Sequence, residues 1–71
     1  SLRLVTVKYD LEAAATEAFT MSGAISKIVT IVGSSFPVAD KTFSVTFSGL
    51  VVTSHAEATA DNVYLTMLIL G

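Results

Sequence analysis

The 71-residue sequence has no cysteine, one histidine, one proline and few charges of either sign. Each shortage removes a class of explanation. Without cysteine, disulfide staples and thiolate zinc sites are both excluded. His55 cannot anchor a structural metal unless several carboxylates converge on it. Four Lys and Arg against six Asp and Glu, a net charge of −2, offer no basic patch for nucleic acid or anionic lipid. No apolar run approaches the ~20 residues that span a bilayer, and the C-terminal run is interrupted by Thr66. No basic segment followed by an apolar one opens the chain, so there is no secretory signal to read. Ser1 in place of Met fits removal of an initiator Met, and a trimmed fragment would begin the same way; the expectation is synthesis in the cytosol.

What is present is apolar area. Hydrophobic residues make up 52% of the chain and charged ones 14%, against roughly 45–50% and about 25% in ordinary domains. Residues 1–71 make a single domain, and a chain of about 60 residues buries only ~60% of the surface that its unfolded form exposes. Chains below roughly 70 to 80 residues usually rely on a disulfide, a metal, cyclisation or oligomerisation for stability. Oligomerisation is the one left, so part of the apolar area is expected at protein–protein contacts. Seventeen Ser and Thr supply polar surface without a strong field.

Periodicity reads mostly as strand. Residues 2–9 place Arg3, Val5, Val7 and Tyr9 on one face and Leu2, Leu4, Thr6 and Lys8 on the other. Asp10 then stands where a helix N-cap would, before Leu11, Ala14, Ala15, Ala18 and Phe19 at helical spacing. The same stretch alternates through Glu17, Phe19 and Met21, which favours a loop followed by a strand over residues 16–21. Ser22-Gly23 signals a turn before a strand over 24–32, with Ile25, Lys27, Val29 and Ile31 opposed to Ser26, Ile28, Thr30 and Val32. Residues 33–41 are the clearest loop.

Residues 42–49 alternate most cleanly, Phe43, Val45 and Phe47 inward and Thr42, Ser44, Thr46 and Ser48 outward. Gly49 marks a bulge or tight turn ahead of residues 50–53. Residues 54–62 read as a polar loop or irregular edge, and residues 63–70 as a closing strand apolar on both faces. The expected fold is all-β and mainly antiparallel: a small β-sandwich or barrel of five to six strands, with room for a short helix near residues 10–19.

No constellation carries catalysis. His55, Glu57 and Asp61 are the only chemical cluster in reach of one another, and alanines separate them as in a solvated loop. The many hydroxyls have only His55 as a base, with no nucleophile elbow and no phosphate-binding glycine loop. Asp10, Glu12 and Glu17 would need a cleft to work as a carboxylate pair. The chain is therefore expected not to be an enzyme, and to have no catalytic, cofactor-binding or metal-binding residues. The candidate interface residues are Phe36 and Pro37, in the most loop-like segment, and Tyr64, Leu68 and Leu70 on the closing strand. Phe36 has an equal alternative, folding back onto its own core.

The short N-terminal strand, the segment AAATEAFTMSGAISKIVTIVG, the strand FSVTFSGL with its glycine and the apolar finish together resemble small β-rich virion structural proteins of tailed bacteriophages. The likeness covers most of the chain as pattern and composition. The chain departs from longer members by lacking further turns and an aromatic–proline segment near the end. The resemblance implies a capsid decoration or cement protein, or a minor head or tail component. It also implies location in the virion after synthesis in the host cytoplasm. Partners would be other copies of itself and a major capsid or other virion protein, with no nucleic acid and no membrane. The alternative is a soluble bacterial β-rich oligomeric binding module.

Overall fold

A computed structural model describes residues 1–12 and 15–71. Six strands run β1 (Leu2–Leu11), β2 (Ala15–Thr20), β3 (Lys27–Ser35), β4 (Phe43–Ser48), β5 (Val51–Ala56) and β6 (Ala60–Leu70). They form two three-stranded antiparallel sheets, ordered β1-β6-β3 (sheet A) and β2-β5-β4 (sheet B). The sheets pack face to face as a sandwich, and each central strand presents alternate residues to the core. β6 contributes Val63, Leu65, Met67 and Ile69, and β5 contributes Val52, Ser54 and Ala56, all buried. One cluster joins Met21, Ile28, Val52, Leu65, Met67 and Ile69, and a second, at the other end, joins Leu11, Ala56 and Val63. The apolar end of the chain is thus protected as a central strand, with β1 paired along one edge and β3 along the other.

No helix forms among the described residues: Ala15–Thr20 takes the strand that the alternation favoured, not the short helix left open near residues 10–19. Its Ala13 and Ala14 lie outside the described residues. The helical spacing loses because the backbone of Ala15–Thr20 pairs residue by residue with Ala56–Val51 of β5, and a tertiary ladder overrides weak propensity. Asp10 is not an N-cap. Its Oδ1 accepts the amide of Asn62 at 2.9 Å, at a bulge where β1 and β6 slip register and Asn62 takes φ 59°. Asn tolerates that left-handed conformation better than most residues.

Two segments also differ from expectation, while the turn at Gly49 agrees with it. β3 begins at Lys27 and runs through Ser35, into the expected loop. Its alternation breaks at two register shifts, between Ile28 and Thr30 and between Ile31 and Gly33, so Ile28 and Ile31 face the core three residues apart. The segment expected to be a polar loop over 54–62 supplies the end of β5 and the start of β6. Gly49 makes a tight turn: Ser48 pairs with Val51 across a two-residue loop, and Gly49 has φ +60° while Leu50 does not share it, the pattern of a type II′ hairpin.

Candidate functional site

Two surfaces stand out, the outer face of sheet A and an open side of the sandwich. On sheet A, the residues of β6 that alternate with its core positions point away from the core, and register places them in four rows. Leu2, Leu70 and Lys27 form the first row, and Leu4, Leu68 and Thr30 the second. Thr6, Thr66 and Gly33 form the third, and Lys8, Tyr64 and Ser35 the fourth. Leu2 is 60% exposed, Leu4 63% and Tyr64 45%. Val29 and Val32, the residues skipped at the two register shifts of β3, are exposed as well. Within the third row, the Thr6 and Thr66 hydroxyls share a hydrogen bond at 2.9 Å. Four leucines at one end of a face with no carboxylate in its rows form a contiguous apolar patch, and such patches mark contact sites.

The open side lies between β1 and β2, edge strands of different sheets. A cleft of about 510 Å³ there is walled by Val5, Val7, Tyr9, Phe19, Met21 and Ile25, with Lys8, Thr20 and Ser22 around them. That volume falls within the range of small-molecule sites. Tyr9 and Phe19 meet with ring centroids 4.9 Å apart at a tilt of 53°, a favourable aromatic geometry. The Tyr9 hydroxyl shares a 2.6 Å hydrogen bond with Ser54 Oγ, which is 1% exposed and the only buried polar side chain among the described residues. Burial lifts the Tyr9 phenol above its ordinary value of 10.0. The Ser54 hydrogen bond pulls it down and the charge of Glu17 adds a further upward push. The hydroxyl is therefore held neutral, serving as a link between the sheets.

The sequence-derived interface residues divide in the structure. Tyr64, Leu68 and Leu70 share the outer face of sheet A. Phe36 instead stacks on Phe43, centroids 4.7 Å apart and rings 4° from parallel, and packs on the second core cluster. Pro37 beside it is exposed. Leu2 and Leu4 complete the patch with Val29 and Val32. The opposite parity of Leu2 and Leu4 to Val5, Val7 and Tyr9 was the sequence signal for the first pair; bulges leave no such signal for the second.

The polar candidates do not converge. His55 lies on the outer face of sheet B, its Nδ1 3.3 Å from Thr16 Oγ1. Glu57 turns to the start of β4, where its Oε1 accepts the Thr42 amide at 2.8 Å. The Thr42 amide first and its hydroxyl second hold the Glu57 carboxyl below 4.5. Asp61 sits in β6, in the other sheet. Glu17 accepts the Glu12 amide through Oε2 at 3.0 Å. Among the described residues no three His, Cys, Asp or Glu side chains group to hold a metal.

No protein-family model, no characterised protein and no solved structure matches the chain.

Proposed function

We propose that the chain is a non-enzymatic structural protein of a virus particle, a capsid decoration or cement protein or a minor head or tail component. It works through protein–protein contacts with its own copies and with a major capsid or other virion protein, without nucleic acid or membrane. It is made in the host cytoplasm and resides in the virion. The supporting observation is the outer face of sheet A, where Leu2, Leu4, Leu68 and Leu70 adjoin in two rows. An exposed sheet face of that composition marks a contact surface, because covering it removes apolar area from water. Many weak copies of such a contact on a repeating lattice bind through avidity, and apolar burial persists where salt screens exposed charge pairs.

The test mixes purified protein with shells that lack it, sediments them and counts bound copies at low and high salt. Saturation at a stoichiometry set by shell symmetry, little changed by salt, supports the assignment. Failure to bind any shell or tube, or binding lost at moderate salt, rejects it.

The cleft between β1 and β2 favours a second reading, a soluble bacterial β-rich oligomeric binding module. Its walls are apolar and its rim carries one cation, Lys8, and two hydroxyls, the usual balance of a small-molecule site. Displacement of an environment-sensitive apolar dye by small amphiphiles, lost in Phe19→Asp at retained fold, would favour that reading over the first.

A further inference from the structure

The geometry points to a second copy of this chain as the occupant of the outer face of sheet A, packed face to face about a two-fold axis running along β6. This rests on reading that face as an assembly surface and names its first partner.

Area is the first argument. The molecule measures 37 × 16 × 15 Å along its principal axes, so its broadest face projects at most about 600 Å² per copy and roughly 1,200 Å² for two, the lower end of specific interfaces. Nothing smaller than the whole face suffices, and a second copy offers a face of the same outline. Two sheets stack about 10 Å apart with strands within about 30° of alignment, which suits two such faces.

Symmetry is the second. A two-fold axis along β6 lays each row on the same row of the second copy while exchanging the sides occupied by β1 and β3. Leu68 and Leu70 then meet their own counterparts, as an isologous contact requires. Leu4 lies over Thr30 beside Val29, and Thr6 over Gly33, where the missing side chain leaves room. The two lysines of the face sit at diagonal corners, Lys8 on β1 in the fourth row and Lys27 on β3 in the first. The rotation brings Lys8 over Ser35 and Lys27 over Leu2, so no two like charges are opposed. Both ammonium groups can reach solvent past the edge strands while their stems remain on the apolar surface.

The experiment is sedimentation equilibrium of the whole chain, with methyl NOEs measured in a mixture of isotopically labelled and unlabelled copies. The expected result is a dimer with a micromolar dissociation constant and intermolecular NOEs between the Leu68 methyls of the two copies. Leu4→Asp, at a largely exposed position, should weaken the dimer by at least about tenfold without changing the far-UV spectrum. Val51→Asp, on the outer face of sheet B, should leave it intact. Should Leu4→Asp unfold the chain, Leu2→Asp in the adjoining row takes its place.

A wild-type monomer at millimolar concentration overturns the inference, as does a dimer indifferent to charge at both Leu2 and Leu4. A monomer that binds shells and loses that binding in Leu4→Asp rejects self-pairing but keeps the assembly role. A dimer that shows the Leu68 NOEs and binds no shell keeps the pairing and rejects the virion assignment.

Discussion

The two sheets share a strand count and an antiparallel order, and they present opposite surfaces to solvent. Sheet B has on its outer face the rows Thr16, His55 and Ser44; Ala18, Thr53 and Thr46; and Thr20, Val51 and Ser48. Hydroxyl groups fill most of those positions and need no protein partner. Sheet A has leucine at four positions of its first two rows. The inward faces differ too: β6 sends large aliphatic side chains to the core where β5 sends Val52, Ser54 and Ala56. One pleated architecture therefore carries a sheet whose outer face is apolar at one end and a sheet whose outer face is mostly hydroxylated. Strands apolar on both faces belong where both faces are covered, so the comparison separates the surface built for contact from the surface built for water.

The largest effect expected lies in the core that the sheets share. Leu65→Ala should cost about 2–5 kcal/mol, since Leu65 is wholly buried and its truncation loses apolar burial and leaves a cavity. Leu68→Ala, on the opposite face of the same strand and only partly covered, should cost a dilute sample well under half as much. Denaturant titration of the two variants checks this, and equal losses would mean that the outer face of sheet A is already covered.

The next effect concerns the link between sheets. Tyr9→Phe leaves the Ser54 hydroxyl buried without its partner and should cost about 1–3 kcal/mol. Adding Ser54→Ala should restore part of that loss, because removing both polar groups also removes the desolvation penalty. A double-mutant cycle in which the two losses simply add would show that the bond does not couple the sheets. The same residue sets an alkaline limb. With its folded value raised above 10.0, Tyr9 contributes stability that is fully present below pH 10.0 and is lost as pH rises through the folded value. Tyr9→Phe should flatten that limb in thermal melts.

A smaller loss is expected at the turn that begins β5. A Cβ at Gly49 would meet nothing within 4 Å, but φ there is +60°, so Gly49→Ala should cost about 1–2 kcal/mol through backbone strain alone. A neutral result would show that the hairpin relaxes into another turn. The smallest effect belongs to Glu57, whose carboxyl is held below 4.5 by Thr42. Its contribution is present above pH 4.5 and disappears as pH falls through the lowered value. Glu57→Gln should reduce the steepness of acid destabilisation slightly, and an unchanged acid limb would place the contact outside the folded-state balance.

Composition and alternation were enough to establish an all-β chain, the two faces of residues 2–9, the inward Phe43 and Val45 of β4 and the turn at Gly49, because each depends on neighbours two residues apart or on one residue's permitted φ; Phe47, expected inward with them, is exposed and lies outside both core clusters. The apolar run of residues 63–70 likewise announced that both its faces need cover. Sequence alone could not say that β6 is central in its sheet, since that depends on β1 and β3 closing on it from distant parts of the chain. Alternation favoured strand over residues 16–21, but what removes the competing helical spacing is the pairing of β2 with β5. The bulges that put Ile28 and Ile31 inward and leave Val29 and Val32 exposed are likewise set by the ladder with β6. The same holds for the gathering of Leu2, Leu4, Leu68 and Leu70 on one face. Residues more than sixty positions apart become neighbours only through register, and register is decided by what the opposite face of each strand must bury.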